Sequence, residues 1–463
     1  MASAPWKRAL LRVRLARLSP CLGLSRRLSG EAPRRFAALW GNGDFGRLGL
    51  GGLGSRFKPT VCPFFDSDPP VSIACGGAHT LFLTESGRVY ASGLNNFGQL
   101  GRSSITNYVS EPIQVAGLPE NIKQISAGYN HSAIVTGERL IYAASSISLT
   151  NYLLWSVSAE VQDSASNVNS LFFENVLSAD GELLAWGDNS SGQLGLGKSA
   201  KRMVCSPTRV DCLAGIYIKM VALGSEHSVS LTDVGEALSW GASGSGRLGH
   251  DYKSGIFGFS ISSSEHTPRL IKKLEGIKIK SIAAGMLHSA CIDEKGTVFV
   301  FGARTTNKLG FGAGKNLRTP TVVQELPISE EVACGGYHTC VLTNGGELYT
   351  WGSNENGCLG LGCTEMIRTP ENVKSPSLKS PISKVACGWK HTAVVSDGKI
   401  FTWGWGGANG TFFEEGHSSA GQLGHGDDLD CIVPKMVNFG SQVKALDVSC
   451  GFNHTGAILE HTC

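Results

Sequence analysis

Residues 79–93 read HTLFLTESGRVYASG. Apolar side chains alternate on both arms, and Gly87 stands where the chain must reverse. Period-two alternation around a glycine turn predicts a β-hairpin. The stretch is entered through Gly76-x-x-His79-Thr80 and ends on Ser92-Gly93, 14 residues after the histidine. Both marks return along the chain. His79, His131, His227, His288, His338, His391 and His454 all sit in Gly-x-x-His-Ser/Thr, which takes seven of the twelve histidines. Trp40-Gly41, Ser92-Gly93, Trp186-Gly187, Trp240-Gly241, Phe301-Gly302, Trp351-Gly352 and Trp403-Gly404 are the matching seven. The 14-residue interval recurs from His227 to Gly241, His288 to Gly302 and His338 to Gly352, and is 13 from His391 to Gly404. A glycine-rich turn follows each second mark (NFGQLG at 96–101, GSGRLG at 244–249), and most copies then carry a proline. The unit is therefore a small antiparallel sheet of about 50 residues. Such a sheet cannot bury its own faces, so several must stack. Radial stacking also protects the edges, which predicts a β-propeller.

Composition agrees. The chain has 463 residues, 60 of them glycine, nearly twice the usual share of about 7 per cent. With 17 per cent charged and 41 per cent hydrophobic residues it is not a disordered chain, and no three-residue glycine period makes it collagen. Net charge is +3, but residues 1–36 alone hold nine basic residues and one acid. The remainder is −5, so its bulk charge offers no broad basic face for nucleic acid. The N-terminal 36 residues are arginine-rich, contain serine and alternate with leucine. That composition predicts an organellar transit peptide, mitochondrial ahead of plastid, with processing near Arg34-Arg35-Phe36. No run of 18 or more apolar residues occurs, so no membrane span is expected.

The two-part repeat resembles the regulator-of-chromosome-condensation family, and the resemblance covers about residues 37–463. It implies an all-β, seven-bladed propeller. CGFNHTGAIL at the C-terminus lacks its second half, and AALWG near residue 40 lacks its first. N- and C-terminal strands together are expected to close one composite blade. WD40 and kelch signatures are absent from the copies.

One repeat is interrupted. His131 to Gly187 spans 56 residues, 42 more than its equivalents. Removing 137–178 restores HSAIVT-ADGELLAWG, in register with the other hairpins. The excess contains one glycine, no proline, no histidine and nine serines. It reads as a non-repeat insertion, with a retained intron translated in frame as its hypothesised origin. A loop at a surface turn costs little, so the blade should survive it.

Several motifs mimic active sites. Gly192 to Ser199 (GQLGLGKS) matches a phosphate-binding loop, but the residues after it show no helical period. Gly41-x-Gly43-x-x-Gly46 and Gly244-x-Gly246-x-x-Gly249 mimic a dinucleotide fingerprint without a βαβ unit. All three are the repeat turn. Seven histidines spaced by about 50 residues fall one per blade, too far apart for a shared metal, and each is expected to bond backbone and lock its own hairpin. The tryptophans of the Trp-Gly marks are expected to anchor the core. Fourteen scattered cysteines without Cys-x-x-Cys read as buried reduced thiols, and equivalent ones such as Cys75, Cys334, Cys387 and Cys450 are expected to lie apart. No catalytic group, cofactor or metal is assigned.

Function is expected where the repeat departs from itself. Two enlarged loops, 251–266 and 405–420, mix aromatic, glycine and polar residues. Lys253, Phe257, Phe259, Phe412, Phe413 and His417 are the binding residues they offer. The family resemblance implies three function classes. Guanine-nucleotide exchange on a small GTPase is one, and the alternative retained here for an organellar GTPase. Ultraviolet-B perception through clustered Gly-Trp-Arg-His-Thr copies is another. Only Gly388-Trp389-Lys390-His391-Thr392 approaches that pattern, while Gly77, Tyr129, Ser225, Met286, Gly336 and Phe452 fill the other positions, which argues against photoreception. The third is a non-enzymatic mitochondrial matrix scaffold. It would bind RNA-processing or complex I assembly proteins and support splicing of organelle transcripts, as the plant mitochondrial members do. Direct RNA contact is left open.

Overall fold

The computed structural model describes residues 35–103, 106–137, 139–144, 173–178, 181–251, 264–303, 317–407, 421–440 and 442–462. Seven four-stranded antiparallel sheets follow one another along the chain. Blade 1 illustrates the rest. Pro70–Cys75, His79–Thr84, Val89–Leu94 and Tyr108–Gln114 pair in sequence order. His79 faces Gly93 across the ladder, and Leu81 faces Ala91. The second strand of blades 1 to 6 is buried along its whole length, as in HTLFLT and HSAIVT, and in blade 7 only its last two residues emerge, whereas the fourth strands carry exposed residues. The seven first strands converge on a central channel, whose mouth is lined by residues from all seven blades.

The ring closes across the chain ends. Blade 7 is built from Val443–Cys450 and His454–His461, followed by Arg35–Gly41 and Arg56–Val61. Ala37 pairs with Ile458 and Gly41 with His454, so the composite blade has the same register as the others. The paired strand begins at Arg35 opposite Glu460, with Phe36 opposite Leu459.

Packing between blades makes the core. Trp186 sits among Leu81, Leu83 and Ile134, and Trp403 among Leu342, Leu348 and Val394. Trp40, Trp186, Trp240, Trp351 and Trp403 are the largest fully buried side chains. The glycine after each of them has φ between +104° and +118°, for example Gly241 and Gly352. A Cβ on Gly241 would be strained at that φ and would lie 2.5 Å from the Glu226 carbonyl oxygen, which is why the mark is Trp-Gly and not Trp-Ala.

The histidines do something other than lock their own hairpins. His79 Nε2 bonds Ser132 Oγ of the next blade at 3.0 Å, and Ser132 in turn donates to the Gln99 carbonyl at 2.8 Å. The same contact links His131 to Ser228, His227 to Ser289 and His288 to Thr339. It continues from His338 to Thr392, His391 to Thr455, and His454 to Thr80 across the closure. The hydroxyl protons are committed elsewhere: Thr392 donates to Cys358 O, Thr455 to Gln422 O and Thr80 to Arg47 O. Each Nε2 facing such a hydroxyl must therefore carry the imidazole proton. Trp186, Trp240 and Trp403 donate to the same turn carbonyls, those of Gln99, Gln193 and Cys358. One glycine-rich turn thus caps a tryptophan and a hydroxyl from the following blade. The expectation of a bond within each hairpin is corrected to a ring of bonds between blades.

Blade 2 is complete despite the insertion. Val135 pairs with Leu183 and His131 with Gly187. Thr136 N–H donates to Glu182 O at 3.0 Å and Glu182 N–H to Thr136 Oγ1 at 2.8 Å. Thr232–Glu236 and Thr343–Glu347 make the same pair of bonds in uninterrupted turns. Gly181 O accepts from Ile218 N–H, as Gly235 O does from Ile279 N–H. Within the inserted stretch, Arg139–Ala144 and Phe173–Ser178 form a separate two-stranded ladder.

Candidate functional site

The turn after each first strand brings the residue two before the motif histidine to the channel mouth. Gly77, Tyr129, Ser225, Met286, Gly336, Trp389 and Phe452 ring it. The cavity inside has a volume of about 100 Å³. Ligand pockets usually start near 300 Å³, so this one suits a few waters or a single inserted side chain.

The aromatic members are joined into a strip. Trp389 stacks on Phe452 with centroids 4.3 Å apart and planes 10° from parallel. Trp405 meets Trp389 edge-on at 5.7 Å, and Tyr129 meets Phe452 edge-on at 5.3 Å. Such pairs add to the energy of burial and hold the rings in one arrangement. Trp405 is buried, whereas Tyr129 is 41 % exposed. Lys390 Nζ lies 4.9 Å from the Trp389 ring centre and 3.5 Å from Glu355 Oε2. The strip therefore has a cation over its inner member, Trp389, while Tyr129 is its exposed end.

Two arginines reach beneath the mouth from the turns of blades 7 and 3. Arg47 donates to Asp44 O and to Gly77 O. Burial lowers its pKa to about 10, which leaves it charged at neutral pH. Arg247 donates to the carbonyls of Gly244 and Met286 and pairs with Glu226 at 3.2 Å. On the first strands of blades 5 and 7, Glu331 and Asp447 have carboxyls held above their ordinary pKa by burial, and Lys384 opposes that shift in both.

The site residues expected from the sequence, Lys253, Phe257, Phe259, Phe412, Phe413 and His417, lie outside the described residues. The mouth was written in the Gly-x-x-His motif, at the variable position after the glycine. What could not be read there is Trp405, which belongs to no repeat mark yet touches Trp389. The mimicked nucleotide motifs form no phosphate cradle. Gly192, Gly195 and Gly197 all have positive φ in a turn, and a strand, Met203–Arg209, comes next. A three-residue 3-10 turn, Asp44–Gly46, follows Gly41-x-Gly43, where a helix would be required. The equivalent cysteines do not lie apart: Cys75, Cys334, Cys387 and Cys450 all line the channel cavity. Their thiols are free, as the sequence implied, and burial raises the pKa of each. Among the described residues no helix is long and apolar enough to cross a membrane.

Residues 161–457 match the RCC1-like domain, and 39–83 and 86–135 match the regulator of chromosome condensation repeat. The chain is 29 % identical over 436 residues to the ultraviolet-B receptor UVR8 of Arabidopsis thaliana, covering 94 % of this chain and 72 % of that protein. It is 31 % identical over 310 residues to the Arabidopsis RCC1 domain-containing protein RUG3, mitochondrial, covering 63 % and 67 %. The human probable E3 ubiquitin-protein ligase HERC4 is 33 % identical over 311 residues, but this chain spans only 27 % of its length. Among solved structures, yeast RCC1 (Prp20) bound to Kap60 superimposes with a TM-score of 0.72 at 20 % identity, covering 96 % of this chain and 97 % of that one. Human WBSCR16 gives 0.71 at 22 % identity, covering 93 % and 100 %. The chain belongs to the regulator of chromosome condensation repeat family and has its seven-bladed propeller fold.

Proposed function

We propose that this protein is a mitochondrial matrix propeller that binds other proteins through its channel mouth and has no catalytic activity of its own. In this reading residues 1–36 are the targeting presequence and 37–463 the propeller, with 137–178 added to a hairpin that is complete without it. Its partners belong to the RNA-processing or complex I assembly machinery, and its work supports intron splicing and thereby complex I biogenesis. The observation that carries protein binding is the strip Trp405–Trp389–Phe452–Tyr129, half open to solvent above a cavity too small for a nucleotide. Rigid aromatic groups beside a half-buried cation are what interface anchors are made of. The arginine-rich leader and the similarity to a mitochondrial relative support the compartment.

Proximity labelling in mitochondria with the wild-type chain and a Tyr129→Ala, Trp389→Ala variant tests it. Splicing or assembly factors recovered by the wild type and lost from the variant support the proposal. Exchange on an organellar GTPase is the competing reading. A GTPase recovered in the same way, whose nucleotide release this protein accelerates, would replace the first reading with the second.

A further inference from the structure

The junction between blades 5 and 6 differs from the other six. His338 and Cys340 lie two residues apart on the second strand of blade 5, on the side packed against blade 6. Cys387 ends the first strand of blade 6. One ring nitrogen of His338 and the two sulfurs lie within 4.8 Å of one another. Zinc–sulfur bonds of about 2.3 Å and zinc–nitrogen bonds of about 2.0 Å fit within that triangle after shifts of less than about 1 Å.

The lone pair is available. His338 Nε2 meets Thr392 Oγ1 at 2.9 Å, and the Thr392 proton is given to Cys358 O. Nε2 therefore carries hydrogen, and Nδ1 is a bare acceptor. Nδ1 is buried and has no hydrogen-bond partner. A metal-bound histidine has this arrangement: one nitrogen ligates, and the other donates to a fixed oxygen.

The repeat supplies its own controls. Other motif histidines also leave Nδ1 unpartnered, among them His79, His391 and His454. What varies is the residue two after the histidine and the one that faces it from the next blade. Across the chain closure a Cβ on Gly456 would meet Cys75 Sγ at 3.1 Å, which fixes that pairing of positions. The first position is Leu81, Ala133, Val229, Ala290, Ala393 or Gly456 in the other blades. Only at blades 5 and 6 do both positions carry thiols. Cys387 also lines the channel cavity, so an ion can reach it from the mouth.

We propose that this junction is a Zn(II) site formed by a ring nitrogen of His338, Cys340 Sγ and Cys387 Sγ, with its fourth position open to water from the channel. Binding breaks two S–H bonds, forms two Zn–S bonds and one Zn–N bond, and releases two protons through the channel. The two thiolates cancel the charge of the ion, as a buried site requires.

The test uses the full propeller, purified under reductant and equilibrated with Zn(II), then desalted against a weak chelator. One zinc per chain by mass spectrometry is expected, reduced at least tenfold by Cys340→Ala or Cys387→Ala and unchanged by Cys450→Ala. With Co(II) in place of zinc the wild type should develop thiolate-to-cobalt charge-transfer absorption, a reading that does not depend on any variant folding. Wild-type protein that retains no zinc and shows no such absorption overturns the site. So does zinc that persists when both Cys340 and Cys387 are alanine.

Discussion

Acid should unfold this propeller well before its carboxylates titrate. Burial lowers the pKa of His79, His338 and His391 to about 3, and of His131 and His288 to about 4, against 6.5 when unfolded. His227 and His454 are pushed down in the same way. Because the folded values are depressed, the unfolded chain binds more protons below pH 6.5. Stability is complete above that pH and is lost as pH falls towards the folded values. Between pH 7.5 and 5 each histidine forfeits about 2 kcal/mol, so the five with stated values forfeit on the order of 10 kcal/mol together. That matches the whole stability of an ordinary domain, about 5–15 kcal/mol. Glu331 and Asp447 work in the opposite direction, since burial raises their pKa, but they are two groups against seven. The assay is urea unfolding followed by tryptophan fluorescence at pH 7.5, 6.5, 6.0, 5.5 and 5.0. The midpoint should collapse between pH 6 and 5. A His391→Gln variant, weaker at pH 7.5, should lose stability less steeply by about 1.4 kcal/mol per pH unit, one proton's worth. A midpoint that is flat from pH 7.5 to 5, or a slope untouched by His391→Gln, would refute the claim that the ring histidines are buried and neutral.

Other outcomes follow from the same contacts. Thr392→Val removes the hydroxyl between His338 and Cys358 O and leaves the His338 Nε2–H buried without an acceptor. It should cost about 1–3 kcal/mol by chemical denaturation, whereas Thr392→Ser should cost much less. Gly335→Ala drives a Cβ into the His338 ring and against the Gly388 carbonyl, so it should destabilise more than Gly276→Ala, which meets no atom within 4 Å and pays only for its positive φ. Deleting 137–178 should leave blade 2 folded, with the thermal midpoint within a few degrees of the parent, because the Thr136–Glu182 turn bonds already close the hairpin. If 137–178 is a retained intron, transcript sequencing will find mature messages that lack it; its presence in every message would end that reading.

The hairpins, their number and the composite blade were legible because each repeat states its own register. His79 to Gly93 is one ladder pair, and a fixed interval in sequence becomes a fixed pair in space. The direction of the histidine bonds was not legible. Ser132 is adjacent to His79 only after blades 1 and 2 have stacked, and no local pattern encodes a partner 53 residues away. The cysteines were misjudged for the same reason. Equivalent positions in a linear solenoid lie a repeat apart, but positions on the first strands of a closed ring all face one axis. Tyr129, Trp389 and Phe452 could be recognised as equivalent from the motif alone. Their joining into a strip could not, since stacking of Trp389 on Phe452 depends on neighbouring blades and Trp405 stands outside the repeat.

The most direct test of the functional account is proximity labelling from inside mitochondria, with the wild-type chain compared with the Tyr129→Ala, Trp389→Ala variant at equal abundance. The account predicts labelling of RNA-processing or complex I assembly proteins that falls at least tenfold in the variant, with the propeller's thermal midpoint little changed. An identical set of neighbours for both proteins, or a tagged chain found in the nucleus, would contradict it.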